Sequence, residues 1–379
     1  MQSKLPTVGT TIFTVMSKMA ADHGAINLSQ GFPDFDCPDL LKELVVKHLH
    51  DRKNQYPPMA GIPELRQEIS NKVEFHYQFT ADPETEVTVT SGATEALFDA
   101  IQAVVHPGDE VIVFDPAYDS YEPAIDLAGG KTVHLALRAP AFTIDWDQVA
   151  TAISDKTRLI IINSPHNPCG GVLSTDDIDQ LASLTRDRNI LVLSDEVYEH
   201  MVYDDAQHNS VLAHAELSER AFAVFSFGKT YHATGWKLAY CVARAPLMVE
   251  FRKIHQFVTF TSTSFLQYAI ADFMAQCPEH AVELSAFYQA KRDLFCKLIS
   301  PSRFTYTPSQ GTYFQLVDYS AISDKTDMEF ANELTQQHGV AAIPLTPFCA
   351  EPSPAKLVRF CFCKDDTTLQ QAAEILCSL

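Results

Sequence analysis

The sequence predicts an α/β protein with a large, mostly parallel seven-stranded sheet flanked by helices and a smaller α+β unit built from both chain ends. Three observations carry this. Seven short β-branched runs, at 86–90, 110–114, 132–137, 158–163, 190–194, 221–226 and 238–242, alternate with amphipathic stretches, which is the rhythm of strands buried beneath helices. Towards the end the rhythm changes, with 312–317 and 357–362 reading as strands and 328–338 and the stretch from about Thr367 as helices. Finally, 379 residues with 46% hydrophobic content exceed one ordinary core but suit two packed units.

Individual elements follow from local signals. Ser174 precedes Asp177 at capping-box spacing, and Ile178, Leu181 and Leu184 recur on one helical face before Asn189, so a helix is expected to cover the sheet there. Residues 31–38 contain Pro and Gly without a period of their own and are expected to pack with the terminal unit. Boundaries fall near residues 41 and 277, dividing the chain into an N-terminal arm with the first part of the small domain (1–41), a large domain (42–277) and the rest of the small domain (278–379).

Composition removes several function classes. The net charge is 28 − 48 = −20, with no block of Lys or Arg to hold a phosphate backbone, so nucleic acid is not an expected partner. The first twenty residues have neither the apolar core of a signal peptide nor a membrane span, and a soluble cytoplasmic protein is expected. Nine cysteines without a CxxC pair and 14 histidines without HExxH spacing read as reduced thiols and no metal site.

Chemistry concentrates at the ends of predicted strands, where open α/β folds gather ligands. Lys229 follows the strand 221–226 in Ser-Phe-Gly-Lys-Thr, although a solvated loop lysine is the plainer reading when it is taken alone. Asp195 follows the apolar run 190–193 and is costly to bury unless a cation meets it, and a protonated pyridine nitrogen is such a cation. Tyr198, three residues on, can turn back to the same ligand; an N-cap Asp with a core tyrosine is the plainer alternative. Asn167 stands between Pro165 and Pro168, whose X-Pro steps hold the turn extended, though a surface turn is also compatible. Residues 90–95, Thr-Ser-Gly-Ala-Thr-Glu, open a helix whose free N–H groups suit an anion. Arg359 lies in an otherwise apolar strand and needs an anion, either a substrate carboxylate or a structural ion-pair partner.

In order, SGAT, NSPHNPCG, SDEVY, SFGKT and TGWK resemble the motifs of the class I and II (fold type I) aminotransferases, enzymes dependent on pyridoxal 5′-phosphate (PLP). The resemblance spans nearly the whole chain, from Ser29-Gln30-Gly31-Phe32-Pro33-Asp34 to Arg359, and is strongest to the methionine, kynurenine and glutamine transaminase branch. It implies that Lys229 carries PLP as a Schiff base, that Asp195 partners the ring nitrogen, and that Tyr198 and Asn167 bind the ring 3′-oxygen. It further implies a phosphate site of Ser226, Lys237, Ala93 and Thr94, with Lys237 standing where family members commonly have arginine. Tyr118 matches the aromatic residue against the ring, and Arg359 with the backbone of Gly31 would take the substrate carboxylate. Tyr56 matches a tyrosine that reaches the neighbour's cofactor phosphate, so a homodimer with shared sites is expected.

For the donor, dicarboxylate-specific relatives place a second arginine some thirty residues after the PLP lysine, whereas residues 257–264 here carry no cation. The resemblance therefore implies a neutral, hydrophobic, sulfur-containing or aromatic donor, methionine first, with Phe260 against its side chain and a 2-oxo acid as acceptor. A cysteine-conjugate C–S β-lyase on the same fold is the alternative. A nicotinamide dehydrogenase lacks its GxGxxG, and residues 1–30 are too few for the DNA-binding domain of a regulator.

Overall fold

The protein is described by a computed structural model covering residues 2–352 and 355–379. Its strands in chain order are β1 (Ile26–Asn27), β2 (Val87–Thr90), β3 (Glu110–Asp115), β4 (Lys131–Ala136), β5 (Thr157–Asn163), β6 (Leu191–Asp195), β7 (Ala221–Ser226), β8 (Ala239–Val242), β9 (Phe314–Asp318), β10 (Val340–Ala341), β11 (Ile343–Pro344) and β12 (Leu357–Cys361). β2 to β8 form one seven-stranded sheet in the order β2-β8-β7-β6-β5-β3-β4, in which only β8 runs against its neighbours. All seven predicted runs are strands whose ends fall within one residue of expectation.

The pleat explains the layers. In β5, Leu159 and Ile161 enter one apolar cluster while Ile160 and Ile162 enter the other, because successive side chains point to opposite faces. Helices Ala93–Val104 and Ala245–Val258 close the first face through Leu97, Ile101, Met248 and Phe251. Helices Pro63–Tyr77, Thr175–Thr185 and Ser264–Gln276 close the second through Ile69, Leu181 and Phe273. Both faces are thus covered, which is why the strands read as apolar runs rather than as alternating ones.

The chain ends are tied together. β1 pairs in parallel with β10, Ile26 opposite Val340, and β11, β12 and β9 form a separate antiparallel sheet. Met16 and Leu28 share an apolar cluster with Phe330, Phe360 and Leu376. The 31–38 segment docks on this unit: Lys364 Nζ donates to Phe32 O at 2.7 Å, and Asp34 accepts from the Asp365 N–H and the Thr368 hydroxyl at 2.6 and 2.8 Å.

Two elements differ from expectation. The capping box of Ser174 and Asp177 is present, but the helix ends at Thr185 rather than near Asn189 because Arg186 turns extended and Asp187 takes a left-handed φ of 55°. β9 begins at Phe314 rather than Thr312, since Thr312 has a φ of 65° and bends the chain before the ladder starts. Among the described residues no helix is long and apolar enough to cross a membrane.

The register gathers several strand ends on one edge. Asn163 lies opposite Asp195, Asp195 opposite Val224, Ser226 opposite Ala239, and Ala239 opposite Thr90. The turn after β5 is then fixed against the small sheet by Gly170, at φ +74°, where an added Cβ would stand 2.6 Å from Ser309 Cβ and 3.2 Å from Gly311 O. Gly170→Ala is expected to destabilise the protein by about 2 kcal/mol or more, because strained φ and overpacking add at one site. Urea unfolding checks this, and an unchanged midpoint would mean that the turn yields without cost.

Candidate active site

Between the strand ends of the large sheet and the small sheet lies a cavity of about 400 Å³. Its floor is the edge just described. Asp195 terminates β6, 4% exposed, and accepts from the Tyr121 hydroxyl at 2.7 Å and the Val197 N–H at 3.4 Å. No cationic side chain among the described residues reaches it within ion-pair distance. Burial raises its carboxyl to about 6, although the Tyr121 hydrogen bond works the other way.

Asp195 is connected to the far wall by a line of hydrogen bonds. The Asn163 amide donates to Asp195 O at 2.8 Å, the Asn167 N–H donates to Asn163 Oδ1 at 2.8 Å, and Arg359 Nη1 donates to Asn167 Oδ1 at 2.7 Å. Asn167 therefore turns its amide NH₂, a donor, into the cavity it lines. Arg359 Nη2 donates to Ser29 O at 2.7 Å, and the guanidinium lies 3.7 Å from the Phe314 ring centroid. Arg359 is fully buried, its Nε has no partner, and no carboxylate among the described residues pairs with it. Burial pulls it down to about 10, with Asp119 acting on it the other way without forming an ion pair, so the cation persists at neutral pH.

At the opposite end, helix Ala93–Val104 presents an N-terminus without a side-chain cap. Its first N–H groups have no intrahelical acceptor and carry the positive end of the dipole. Gly92, at φ +96°, makes room for Lys237: a Cβ there would stand 3.0 Å from Lys237 Cε and 3.2 Å from Nζ. Ser226 from β7 and Ala93 and Thr94 from the helix line the same end. Beneath this helix, His255 donates through Nδ1 to Glu95 at 2.8 Å and through Nε2 to Met59 O at 3.0 Å. Burial disfavours its cation, yet Asp99 and Glu95 outweigh this and raise it to about 9. The group is a protonated imidazole between two carboxylates, with both ring nitrogens engaged.

Lys229, on the short helix Phe227–Thr230, enters the middle of the cavity. Its amine donates to the Tyr313 hydroxyl at 2.7 Å, and burial lowers it to about 8. Tyr118 and Tyr198 line the walls. Gly31 meets the site through its backbone, since a Cβ would stand 2.5 Å from Phe314 Cζ. Eleven of the thirteen predicted residues thus share this cavity: Lys229, Asp195, Tyr198, Asn167, Tyr118, Ser226, Lys237, Ala93, Thr94, Gly31 and Arg359. Tyr56 and Phe260 do not; they form an exposed edge-on pair 5.8 Å apart, at 86% and 45% exposure. Sequence reasoning missed Tyr313, Tyr121, Asn163 and Phe13. Only Asn163, at the end of a predicted strand, carried a local signal.

Residues 23–376 match the family model of the class I and II aminotransferases. The methionine aminotransferase of Escherichia coli (strain K12) is 53% identical over 99% of this chain and 97% of its own length. Kynurenine–oxoglutarate transaminase 3 of Mus musculus is 34% identical over 97% of this chain and 87% of its own. The crystal structure of YbdL from Escherichia coli, for which a methionine aminotransferase function was identified, superimposes with a TM-score of 0.98 at 52% identity, covering 100% of this chain and 99% of that one. This chain is a class I and II aminotransferase.

The aminotransferase uses PLP, and its cavity fits that group. PLP has a protonatable ring nitrogen at one end and a phosphate ester at the other. The cavity is lined by a buried carboxylate, Asp195, and by an uncapped helix start beside Lys237, neither of which has an ion-pair partner among the described residues.

The aminotransferase should therefore be less stable without cofactor than its core allows. For an acid whose folded pKa is raised, the penalty is absent below the unfolded value of 3.8, grows as pH rises, and is complete above about 6. Asp195→Asn is expected to stabilise the cofactor-free protein by roughly 1–3 kcal/mol at pH 7.5 and by little near pH 4. Thermal unfolding at both pH values checks this; a destabilised Asn variant at pH 7.5 would contradict it.

Proposed function

We propose that this aminotransferase takes the amino group of a neutral, fairly large amino acid, methionine foremost, and passes it to a 2-oxo acid by a ping-pong route. The observation that carries this is Arg359: a fully buried guanidinium with only neutral acceptors is completed by one carboxylate, and its planar fork suits two oxygens. The other cations lining the cavity, Lys229 and Lys237, have separate work, so no cation is left for a distal carboxylate. Phe13, Phe32, Leu97, Val197 and Phe314 supply apolar wall instead. A second carboxylate among them would lose its hydration without a partner. Methionine is also the substrate named for the 53% identical relative, while the lyase alternative gains no support from the relatives.

The residues divide the work. Bound PLP supplies an electron sink next to the substrate's Cα. Asp195, ionised at neutral pH, would keep a proton on the ring nitrogen. Tyr198 and Asn167 would donate to the ring 3′-oxygen, with Tyr118 as the aromatic residue beside the ring. Lys237, Ser226 and the N–H groups of Ala93 and Thr94 would hold the phosphate. Arg359 and the Gly31 backbone orient the substrate carboxylate, which sets the bond at Cα that is broken. Lys229, with an amine near neutrality, carries the proton taken from Cα.

We also infer a cytoplasmic homodimer with shared sites. Tyr56, Phe257, Val258 and Phe260 are exposed together, an apolar patch of the kind that a partner subunit covers. Tyr56 would contribute to the partner's phosphate site and Phe260 to its donor pocket. The nine cysteines are all free thiols, which suits a reducing compartment. Residues 42–277 form the large domain and 1–41 with 278–379 the small one, a division supported by the joint apolar cluster of the two chain ends.

Two measurements test these readings. With one common oxo-acid acceptor, kcat/KM for methionine should exceed that for aspartate by at least about a hundredfold; equality would overturn the donor assignment. Mixing Tyr56→Phe with Lys229→Ala chains should yield hybrid dimers in which one site carries both defects and the other neither. Full activity of a species that sediments as a monomer would remove the shared-site arrangement.

A further inference from the structure

Lys229 is released from the cofactor during turnover, and its flexible four-carbon stem must then be held where it can work. We propose that Tyr313 is the positioning residue for this free amine: its hydroxyl accepts a hydrogen bond from Lys229 Nζ while its own proton is committed to Gly31. This rests on the aminotransferase reading above.

The direction of the bonds is the core of the argument. A phenol has one O–H to give. Tyr313 Oη lies 2.7 Å from Gly31 O, which can only accept, so the proton points there. The same oxygen lies 2.7 Å from Lys229 Nζ and must accept from it. Tyr313 therefore never donates to the lysine, and the lone pair of the neutral amine stays free to take a proton. Proton transfer to Lys229 breaks the substrate Cα–H bond and forms an N–H bond, with no proton needed from Tyr313. Gly31 O itself is 3.4 Å from Nζ, a longer and weaker contact than the 2.7 Å to the phenol.

The tyrosine is placed independently of its hydroxyl. Thr312, at φ +65°, turns the backbone towards the site, and the Tyr203 hydroxyl donates to Thr312 O. The Tyr313 ring is fully buried, 4.9 Å from Phe314, 5.2 Å from Tyr198 and 5.7 Å from Tyr288. Phe at this position thus keeps the packing and removes the hydroxyl, which is the acceptor for Lys229 and the donor to Gly31 O. An acceptor favours the ammonium form, so its loss lowers the lysine's pKa. The other titratable groups that bear on Nζ are Asp195, Tyr198, Lys237, Arg359, Cys361 and Cys363, and none of them changes in this variant.

The experiment compares wild type, Tyr313→Phe and Tyr319→Phe. The last loses a buried tyrosine's hydrogen bond, to Lys325 O at 3.0 Å, that touches neither Lys229 nor Thr312, and serves as the structural control. In Tyr313→Phe, kcat for methionine should fall roughly tenfold or more with KM within about threefold, and the isotope effect from α-deuterated methionine should rise. In the cofactor-free protein, the pH midpoint for modification of Lys229 by trinitrobenzenesulfonate, followed by peptide mass, should shift down by about half a unit or more. Tyr319→Phe should move neither. Wild-type kcat and an unmoved midpoint in Tyr313→Phe would overturn the inference, as would equal shifts in both variants. If Tyr313→Phe does not fold, 3,5-difluorotyrosine at 313 keeps the shape and weakens the acceptor, and an unmoved midpoint there is equally decisive. A wild type unable to transaminate methionine would instead sink the donor reading, and the modification midpoints would still decide the role of Tyr313.

Discussion

Two charges buried without a partner govern this structure. Asp195 closes β6 with only a phenol and a backbone N–H to meet it, and Arg359 is fully enclosed in β12 with only neutral oxygens. Each alone costs several kcal/mol to desolvate. Among the described residues neither has an ion-pair partner, with only the longer-range pull of Lys229 on Asp195 and of Asp119 on Arg359, so under the proposed function a cationic ring nitrogen and a substrate carboxylate would complete the arrangement. The sheet around them is apolar on both faces and supplies the stability against which this cost is set.

The two charges are also mechanically connected. Arg359 holds Asn167, Asn167 holds Asn163, and Asn163 holds the backbone of Asp195. The separation of Arg359 and Asp195, proposed to meet the substrate's carboxylate and the ring nitrogen, is therefore fixed by three side-chain hydrogen bonds. Such pre-organisation is what lets a bound substrate present one bond at Cα to the electron sink. Lys229, just after β7 of the large sheet, and Tyr313, just before β9 of the small one, meet through a hydrogen bond of 2.7 Å.

Residues at strand ends were legible because their signal is local. An acid directly after an apolar run, a lysine after Phe225-Ser226, and a small-residue turn opening a helix each break a pattern that burial would otherwise dictate. Their joint order identified the family, and eleven of the named side chains do meet in one cavity. Tyr313 and Tyr121 carried no such break, since a tyrosine beside an apolar run reads as core. What gives Tyr313 its place is the left-handed Thr312 together with the crossing of Gly31, nearly three hundred residues earlier, and neither has a sequence period. Tyr56 and Phe260 read as site residues only by resemblance, and in one chain they face outwards.

By itself the sequence determined the strand rhythm, the family and the chemical type of each group at the sheet edge, because hydrophobic periodicity and strand-end breaks are short-range features of the chain. Only the tertiary structure decided that Arg359 has no carboxylate partner among the described residues, that Lys237 sits over a glycine at a helix start, and that the Tyr313 proton is committed to Gly31. Those are statements about which groups fail to find, or do find, a partner across long separations. Partnering depends on distances of a few ångströms that no local pattern encodes.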